Sequence, residues 1–295
     1  MAPAECALEN SAAVGIDVGG TKVLIHVVDA QGRLIGEDRR PSSRATGPRD
    51  LLALIEDAVD GARRVAPVGA VGVGFPGLTD VDRGVVLSSV ILDGWRDVPL
   101  ACLLGERLGI PCAVDNDVNN AARAELAQRG EDGRDMLFIT VGSGVGGALV
   151  LAGKLWTGAS GLAGEIGHIA VDTDGPRCLC GRIGCAGPRA SGQAIAQRLA
   201  DAANIDAWSI VGETAVLLGR AIASALNLLN LPLVVVGGGV ADLGDRYLAL
   251  IERAVRAEAF PEIAAACRIE PARAGYEAGA TGAALLALQR SGMMA

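Results

Sequence analysis

Three short apolar runs in this chain each end in a glycine loop, and that recurrence restricts the fold more than any other feature. Ala13 to Asp17 runs into Gly19-Gly20 and is followed by a second apolar run, Val23 to Asp29. Asp135 to Val141 runs into Gly142-Ser143-Gly144 and is followed by Gly147 to Leu151, and Leu233 to Val236 ends in Gly237-Gly238-Gly239. Apolar runs of this length bounded by glycine turns are strands. The first two loops each close a strand pair, so an antiparallel hairpin is expected inside each sheet. Gln31-Gly32 turns into a further strand.

Helical spacing fills the intervals. Leu51, Leu52, Ile55, Val59 and Ala62 recur at one face of a helix over Pro48 to Val65. Further helices are predicted over Leu100 to Leu108, Val118 to Arg129, Ser191 to Ala202, Trp208 to Leu229, Arg246 to Ala257 and Ala278 to Leu288. Further strands are predicted at Val68 to Phe75, Cys112 to Val114 and Arg268 to Glu270. Strands alternating with helices throughout give an α/β class.

Composition removes several classes of function. Hydrophobic residues make 51% of the 295-residue chain but aromatics only 3%, so the core is built from Ala, Val, Leu and Ile. The net charge of −8 and the absence of a basic tract argue against a nucleic-acid partner, which requires clustered Lys and Arg. The first twelve residues carry Glu5 and Glu9 and no Lys or Arg, unlike a secretory signal. Two uncharged stretches, 136–153 and 221–241, are interrupted by glycines, asparagines or proline, so no membrane span is expected. Cys6, Cys102, Cys112 and Cys267 are scattered, unlike a disulfide framework, which suits a cytoplasmic, reducing setting.

The glycine loops are suited to phosphate. Glycines let backbone N–H groups approach an anion closely, and in Asp17-Val18-Gly19-Gly20-Thr21-Lys22 the Thr21 hydroxyl adds a donor. Asp17 can hold Mg²⁺ through water. Lys22 either approaches a phosphate or is an exposed strand residue. Thr140, Gly142, Ser143 and Gly144 repeat the device, and Gly237, Gly238 and Gly239 allow flat approach of a nucleobase and ribose. Any one such loop is as often a plain turn; three at three apolar strand ends are not.

Asp115-Asn116-Asp117 follows a strand and precedes a helix. Asp117 either caps that helix or acts as the general base that takes a proton from a hydroxyl attacking a phosphate, with Asn116 as hydrogen-bond partner. His26 alternates with apolar neighbours in a strand and reads as structural. Trp95 is either a core anchor or a wall of a sugar site.

The chain has two histidines and seven cysteines, yet His168, Cys178, Cys180 and Cys185 fall together with glycine turns between them. One imidazole and three thiolates make a closed tetrahedral set for Zn²⁺, with no position left for water, hence structural. Glu165 stands three residues before His168, so the knuckle can also aim a carboxylate.

These pieces, in order, are GIDVGGTK at 15–22, GVGFPG at 72–77, DGW at 93–95, DNDVNNAA at 115–122, TVGSGVGGALV at 140–150, GEIGH with the cysteine knuckle, and VVVGGGV at 234–240. Together they resemble the ROK family (repressors, open reading frames and sugar kinases) of the actin-like ATPase superfamily, over nearly the whole chain. The resemblance implies a two-lobed actin-like (ribonuclease H-like) fold with a zinc knuckle and the active site in the cleft. Residues 1–113, completed by the helix at 278–295, would form the small lobe, and 114–277 the large lobe. It implies ATP and Mg²⁺ at the first two loops, zinc on His168, Cys178, Cys180 and Cys185, and Asp117 as catalytic base. Asn116, Asp117, Glu165 and His168 would contact the sugar, and Gly77 of the GVGFPG motif is assigned to the same site. A homodimer is implied as well. Family repressors carry a helix-turn-helix before the first strand; only twelve residues precede it here, so no DNA partner is expected.

One departure stands out. The family's knuckle ends Cys-x-Glu, whereas here Cys185-Ala186 is followed by Gly187 and Pro188. The sugar site loses a carboxylate and the next helix is expected to begin late. The expected activity is ATP-dependent phosphorylation of the 6-hydroxyl of glucose or a related sugar. The acidic set of Asp115, Asp117 and Glu165 makes an aminohexose, such as glucosamine or 3-amino-3-deoxyglucose, the alternative substrate. A non-catalytic sugar sensor is the rival reading.

Overall fold

The computed structural model describes residues 11–42, 47–89, 91–201 and 206–293. Cys6, Glu5, Glu9 and the expected helix end at Ala202 lie outside the described residues. Two compact units are present. The first comprises Met1–Gln128, Gly158–Leu162 and Glu277–Ala295, the second Arg129–Thr157 and Ala163–Tyr276.

The same sheet is built in each. In the first unit the strands β1 (Ala12–Val18), β2 (Lys22–Val28), β3 (Leu34–Pro41), β4 (Val68–Phe75) and β8 (Cys112–Asn116) lie in the order β3-β2-β1-β4-β8. β1, β2 and β3 pair antiparallel, and β4 and β8 add in parallel. In the second unit β9 (Met136–Val141), β10 (Val145–Leu151), β11 (Lys154–Trp156), β12 (Leu233–Gly237) and β13 (Arg268–Pro271) repeat that order as β11-β10-β9-β12-β13, with the same directions. Both expected hairpins, at Gly19-Gly20 and at Gly142-Ser143-Gly144, are present.

Burial follows position in the sheet. β1 and β12 are central and almost wholly buried, as their unbroken apolar runs require. β3 is an edge and carries Glu37, Asp38 and Arg39 into solvent, which discourages edge-to-edge pairing.

The helices cover these sheets. They are α1 (Pro48–Ala62), α2 (Leu100–Leu108), α3 (Asp117–Arg129), α4 (Gly187–Ala190), α5 (Gly192–Asp201), α6 (Ala207–Leu229), α7 (Asp245–Glu258), α8 (Pro261–Ala266) and α9 (Ala278–Ser291). α6 is long and apolar enough to cross a membrane, yet most of it is buried in the core of the second unit with Leu137, Ile139 and Val236. Asp206 caps its start through Ser209 N–H, and Asn230 ends it in the left-handed conformation.

α9 lies unusually close to the first sheet. A Cβ on Gly15 would fall 1.9 Å from the Ala280 carbonyl oxygen, and one on Gly72 1.8 Å from that of Ala283. Backbone therefore touches backbone where β1 and β4 meet the helix, and only glycine fits. This contact ties α9 to the first unit.

Three differences from the sequence reading have physical causes. β8 hydrogen-bonds to β4 and carries α3 with it, so the first unit extends to Gln128 rather than stopping at 113. A small sheet of β5 (Leu78–Asp80), β6 (Val85–Ser88) and β7 (Arg96–Val98) was not expected, because such short strands mix polar and apolar residues and lack a clean period. α4 begins directly after the knuckle, at Gly187 with Pro188 in its first turn, so the helix does not start late; extended Ser191 then separates it from α5. Trp95 is a core anchor: it is 3% exposed, with its ring centroid 4.4 Å from that of Phe75.

Candidate functional site

In the first unit the chemistry gathers where β1, β4 and β8 end. The loop after β1 is closed by Gly19 N–H donating to the Lys22 carbonyl at 2.9 Å. Ser42 pins it, its hydroxyl donating to the Gly20 carbonyl at 2.7 Å and its N–H to that of Thr21 at 3.1 Å. Gly20 and Thr21 are left on the surface.

Asp17 sits at the base of this loop, against the first turn of α9; a Cβ on Gly279 would be 2.6 Å from its Oδ2. Burial, then the negative charge of Asp117, push the Asp17 carboxyl up to about 7, and Lys22 opposes them. The two aspartates are thus close enough to repel. A divalent cation relieves such a pair, so the donor set fits Mg²⁺.

The Asp115-Asn116-Asp117 segment divides its labour differently from expectation. Asn116, not Asp117, caps α3: its Oδ1 accepts from the N–H groups of Val118 at 2.8 Å and Asn119 at 3.2 Å. Its Nδ2 donates to the Gly77 carbonyl at 3.0 Å. Gly77 itself admits no side chain, because a Cβ would lie 2.4 Å from the Ser88 carbonyl oxygen. Asp117 occupies the first turn of α3.

Asp115 is 1% exposed and accepts from Asn119 Nδ2 at 2.9 Å and from Arg123 at 3.0 Å. It is an internal counter-ion and no part of an acidic sugar lining. Asn119 and Arg123 were missed by the sequence reading. Their spacing of four and eight residues after Asp115 places them on one helical face and was the available signal.

In the second unit two glycine loops come together. β9 and β12 are parallel neighbours with Thr140 opposite Gly237, so Gly142-Ser143-Gly144 and Gly237-Gly238-Gly239 leave adjacent strand ends. Val240 N–H donates to the Val141 carbonyl at 3.0 Å. Gly238 has φ +84 and would place a Cβ 2.6 Å from the same carbonyl oxygen, so both the turn and the approach require glycine. Gly192 N–H, at the start of α5, donates to the Gly142 carbonyl at 2.7 Å.

The Gly164–His168 segment packs along β10. A Cβ on Gly164 would be 2.5 Å from the Gly147 carbonyl oxygen, and one on Gly167 2.2 Å from that of Val145. Beyond it the knuckle closes on itself through short bridges, Ala170 with Cys185 and Arg177 with Ile183. The ligand atoms of His168, Cys178, Cys180 and Cys185 all lie within 4.8 Å of one another. The Cys180 and Cys185 sulfurs are 3.6 Å apart, and Cys178 Sγ is 3.3 Å from His168 Nδ1.

A tetrahedral zinc with Zn–S bonds of about 2.3 Å separates its sulfurs by about 3.8 Å, so the set fits the metal. The backbone N–H of Arg182, then its guanidinium, hold the Cys180 thiol down to about 6, while burial pushes Cys185 up to about 11. The other imidazole nitrogen of His168, Nε2, is 3.7 Å from Glu165 Oε2. Partial desolvation holds the Glu165 carboxyl above its usual range, against the pull of His168. His168 therefore links the cysteine cluster to a carboxylate, an arrangement that fixes ring orientation at metal sites.

His26 is buried and bridges β2 to α9, facing Thr281 Oγ1 at 2.9 Å and Glu277 Oε2 at 3.2 Å.

The model of the ROK family matches residues 13–290. A glucokinase of Halalkalibacterium halodurans is 34% identical, over 95% of this chain and 96% of its own. An N-acetylmannosamine kinase of Escherichia coli O157:H7 is 37% identical, over 93% and 97%. Among solved structures, a ROK family glucokinase of Streptomyces griseus in complex with glucose and AMPPNP superposes with a TM-score of 0.80 at 30% identity, covering 95% of this chain and all of its own. A ROK hexokinase of Thermus thermophilus gives 0.79 at 32%, covering 95% and 98%.

Proposed function

The chain belongs to the ROK family and is an ATP-dependent hexose kinase, and we propose that its sugar is glucose, phosphorylated on the 6-hydroxyl with Asp117 as general base. What supports this reading is the nearness of the two aspartates: a Cβ on Gly74 would stand 3.3 Å from Asp17 Oδ1 and 3.6 Å from the Asp117 Cα. Asp117 would accept the hydroxyl proton as the oxygen attacks. Phosphoryl transfer demands mainly positioning and charge stabilisation, so one aimed carboxylate suffices.

Asn116, Glu165 and His168 would orient the sugar hydroxyls, with Gly77 setting Asn116 through its carbonyl. Asp17, Gly19, Gly20, Thr21 and Lys22, together with Thr140, Gly142, Ser143 and Gly144, would hold the phosphates of ATP. Gly237, Gly238 and Gly239 would lie along its nucleoside. Mg²⁺ would sit with Asp17 through water and neutralise the phosphate charge. Zinc on His168, Cys178, Cys180 and Cys185 would hold Glu165 in place by fixing His168. A cytoplasmic homodimer belongs to the same proposal.

The aminohexose alternative is set aside. It rested on an acidic lining, and Asp115 is committed to Arg123 and Asn119 inside the first unit. The relatives matched over nearly the whole chain include a glucokinase and a kinase of an N-acetylated sugar, which carries no ammonium. The sensing alternative likewise gives way to a kinase.

An ADP-release assay over glucose, N-acetylmannosamine, mannose and glucosamine tests the reading. Glucose should give the highest kcat/KM; a preference of tenfold or more for another sugar overturns the choice of glucose.

A further inference from the structure

The network behind Asp115 ends in a donor that the described structure leaves unsatisfied. Arg123 donates to both Asp115 Oδ2, at 3.0 Å, and Asn120 Oδ1, at 2.5 Å. A guanidinium has only donors, so this contact fixes the orientation of the Asn120 amide: Oδ1 faces Arg123 and Nδ2 faces away. Asn120 is fully buried, at 0% exposed, and its Nδ2 has no hydrogen-bond partner. A buried NH₂ without an acceptor is costly and rare, so a group to receive it is to be sought nearby.

Gly74 shows where Nδ2 points. A Cβ at this position would lie 3.2 Å from Asn120 Nδ2, 3.3 Å from Asp17 Oδ1 and 3.6 Å from the Asp117 Cα. The amide and the Asp17 carboxylate thus border the same small space, which stays open because residue 74 has no side chain. α9 packs against both residues, with Gly282 against the Asn120 carbonyl and Gly279 against Asp17.

We propose that Asn120 is a positioning residue for Asp17, donating its unsatisfied Nδ2–H to the Asp17 carboxylate when the magnesium nucleotide is bound and so fixing which oxygen faces the cation. This rests on the phosphate-loop reading of Asp17 given above. The rigid chain from Asp115 through Arg123 to Asn120 would hold the donor, and Asp17 Oδ1 would receive it. The sequence hid this role because Asn120 stands beside Asn119 in a run of asparagines. Only the helix decides that one of them serves Asp115 and the other Asp17.

The test is calorimetric titration of the full-length protein with AMPPNP, with and without Mg²⁺, alongside glucose kinetics. A hydrogen bond to a charged group is lost in Asn120→Ala, so the Kd for Mg²⁺·AMPPNP should rise about tenfold. The Kd for metal-free AMPPNP and the KM for glucose should stay within about twofold. Asn120→Leu keeps a similar branched shape and removes the donor without adding charge, so its magnesium-dependent loss should match that of Asn120→Ala. Equal losses with and without Mg²⁺, or no change in either variant, overturn the proposal. Should Asn120→Ala fail to fold, Asn120→Leu decides alone. If the wild type binds Mg²⁺·AMPPNP but phosphorylates no sugar, the hexose reading fails while this binding comparison still stands.

Discussion

At the scale of single residues, two aspartates at the end of one strand differ in task because their surroundings differ. Asp115 is buried against Arg123 and stays an internal counter-ion. Asp117, two residues on, begins a helix whose cap hydrogen bonds come from Asn116. Asp117→Asn keeps shape and removes the basic oxygen, so folding and nucleotide binding should survive. kcat should fall by roughly 10²–10⁴-fold, the usual contribution of a general base; a variant retaining more than about a tenth of wild-type kcat excludes that role.

Asp17 carries a prediction about pH. Its carboxyl is raised from 3.8 to about 7 in the fold. Between those values the folded state holds a proton that the unfolded chain has released, so this group's contribution to stability declines as pH rises through that window. Asp17→Asn cannot titrate. In magnesium-free buffer its urea midpoint should therefore gain on the wild type from about pH 4 to about pH 8; a constant difference over that range would exclude the buried, repelled carboxylate. Residue-level roles were legible where the motif was local, as in GIDVGGTK, and illegible where a partner comes from elsewhere in the chain. Nothing in Asp115-Asn116-Asp117 says that Arg123 will claim the first member.

At the scale of elements, the knuckle is a short loop with little apolar core of its own. Cys178 and Cys185 are buried, but Leu179 and Ile183 stand exposed at 75% and 49%. With so little apolar contact, the loop would take its order from the proposed zinc. Freshly purified protein should contain one zinc per chain by elemental analysis. Cys180→Ser should lose it, and a loss of even about 2 kcal/mol lowers Tm by roughly 4–8 °C in units of this size. Full zinc content in that variant, or none in the wild type, would refute the assignment.

The gathering of His168, Cys178, Cys180 and Cys185 was legible because all four lie within one stretch of sequence. The approach of α9 to β1 and β4 was not. Gly15 and Gly72 read as ordinary residues of GIDVGG and GVGFPG, and only the fold reveals that their missing Cβ atoms admit the helix backbone. The short strands β5, β6, β7 and β11 escaped for the opposite reason, since they are too short to show a period.

At the scale of the whole molecule, the repeated sheet order explains why the reading succeeded in outline. Each unit begins with an antiparallel glycine hairpin, adds parallel strands, and buries a run of Val and Ile at its centre. The hairpins and runs are visible in the residues, whereas the pairing of β8 with β4 is long-range and moved the expected boundary. Assembly is the remaining question at this scale. Leu228, 83% exposed at the end of α6, and Phe260, 60% exposed, stand close by, since Phe260 N–H donates to Asn227 Oδ1 at 2.8 Å. Two large apolar side chains together on a surface are a small part of what an interface needs; a stable one buries about 800 Å² per partner. The homodimer therefore rests on the family resemblance, and its expected outcome is definite. Light scattering at micromolar concentration should give twice the 29.9 kDa chain mass, and glucose with Mg²⁺·AMPPNP should leave that mass unchanged. A chain-sized mass under both conditions would refute the homodimer.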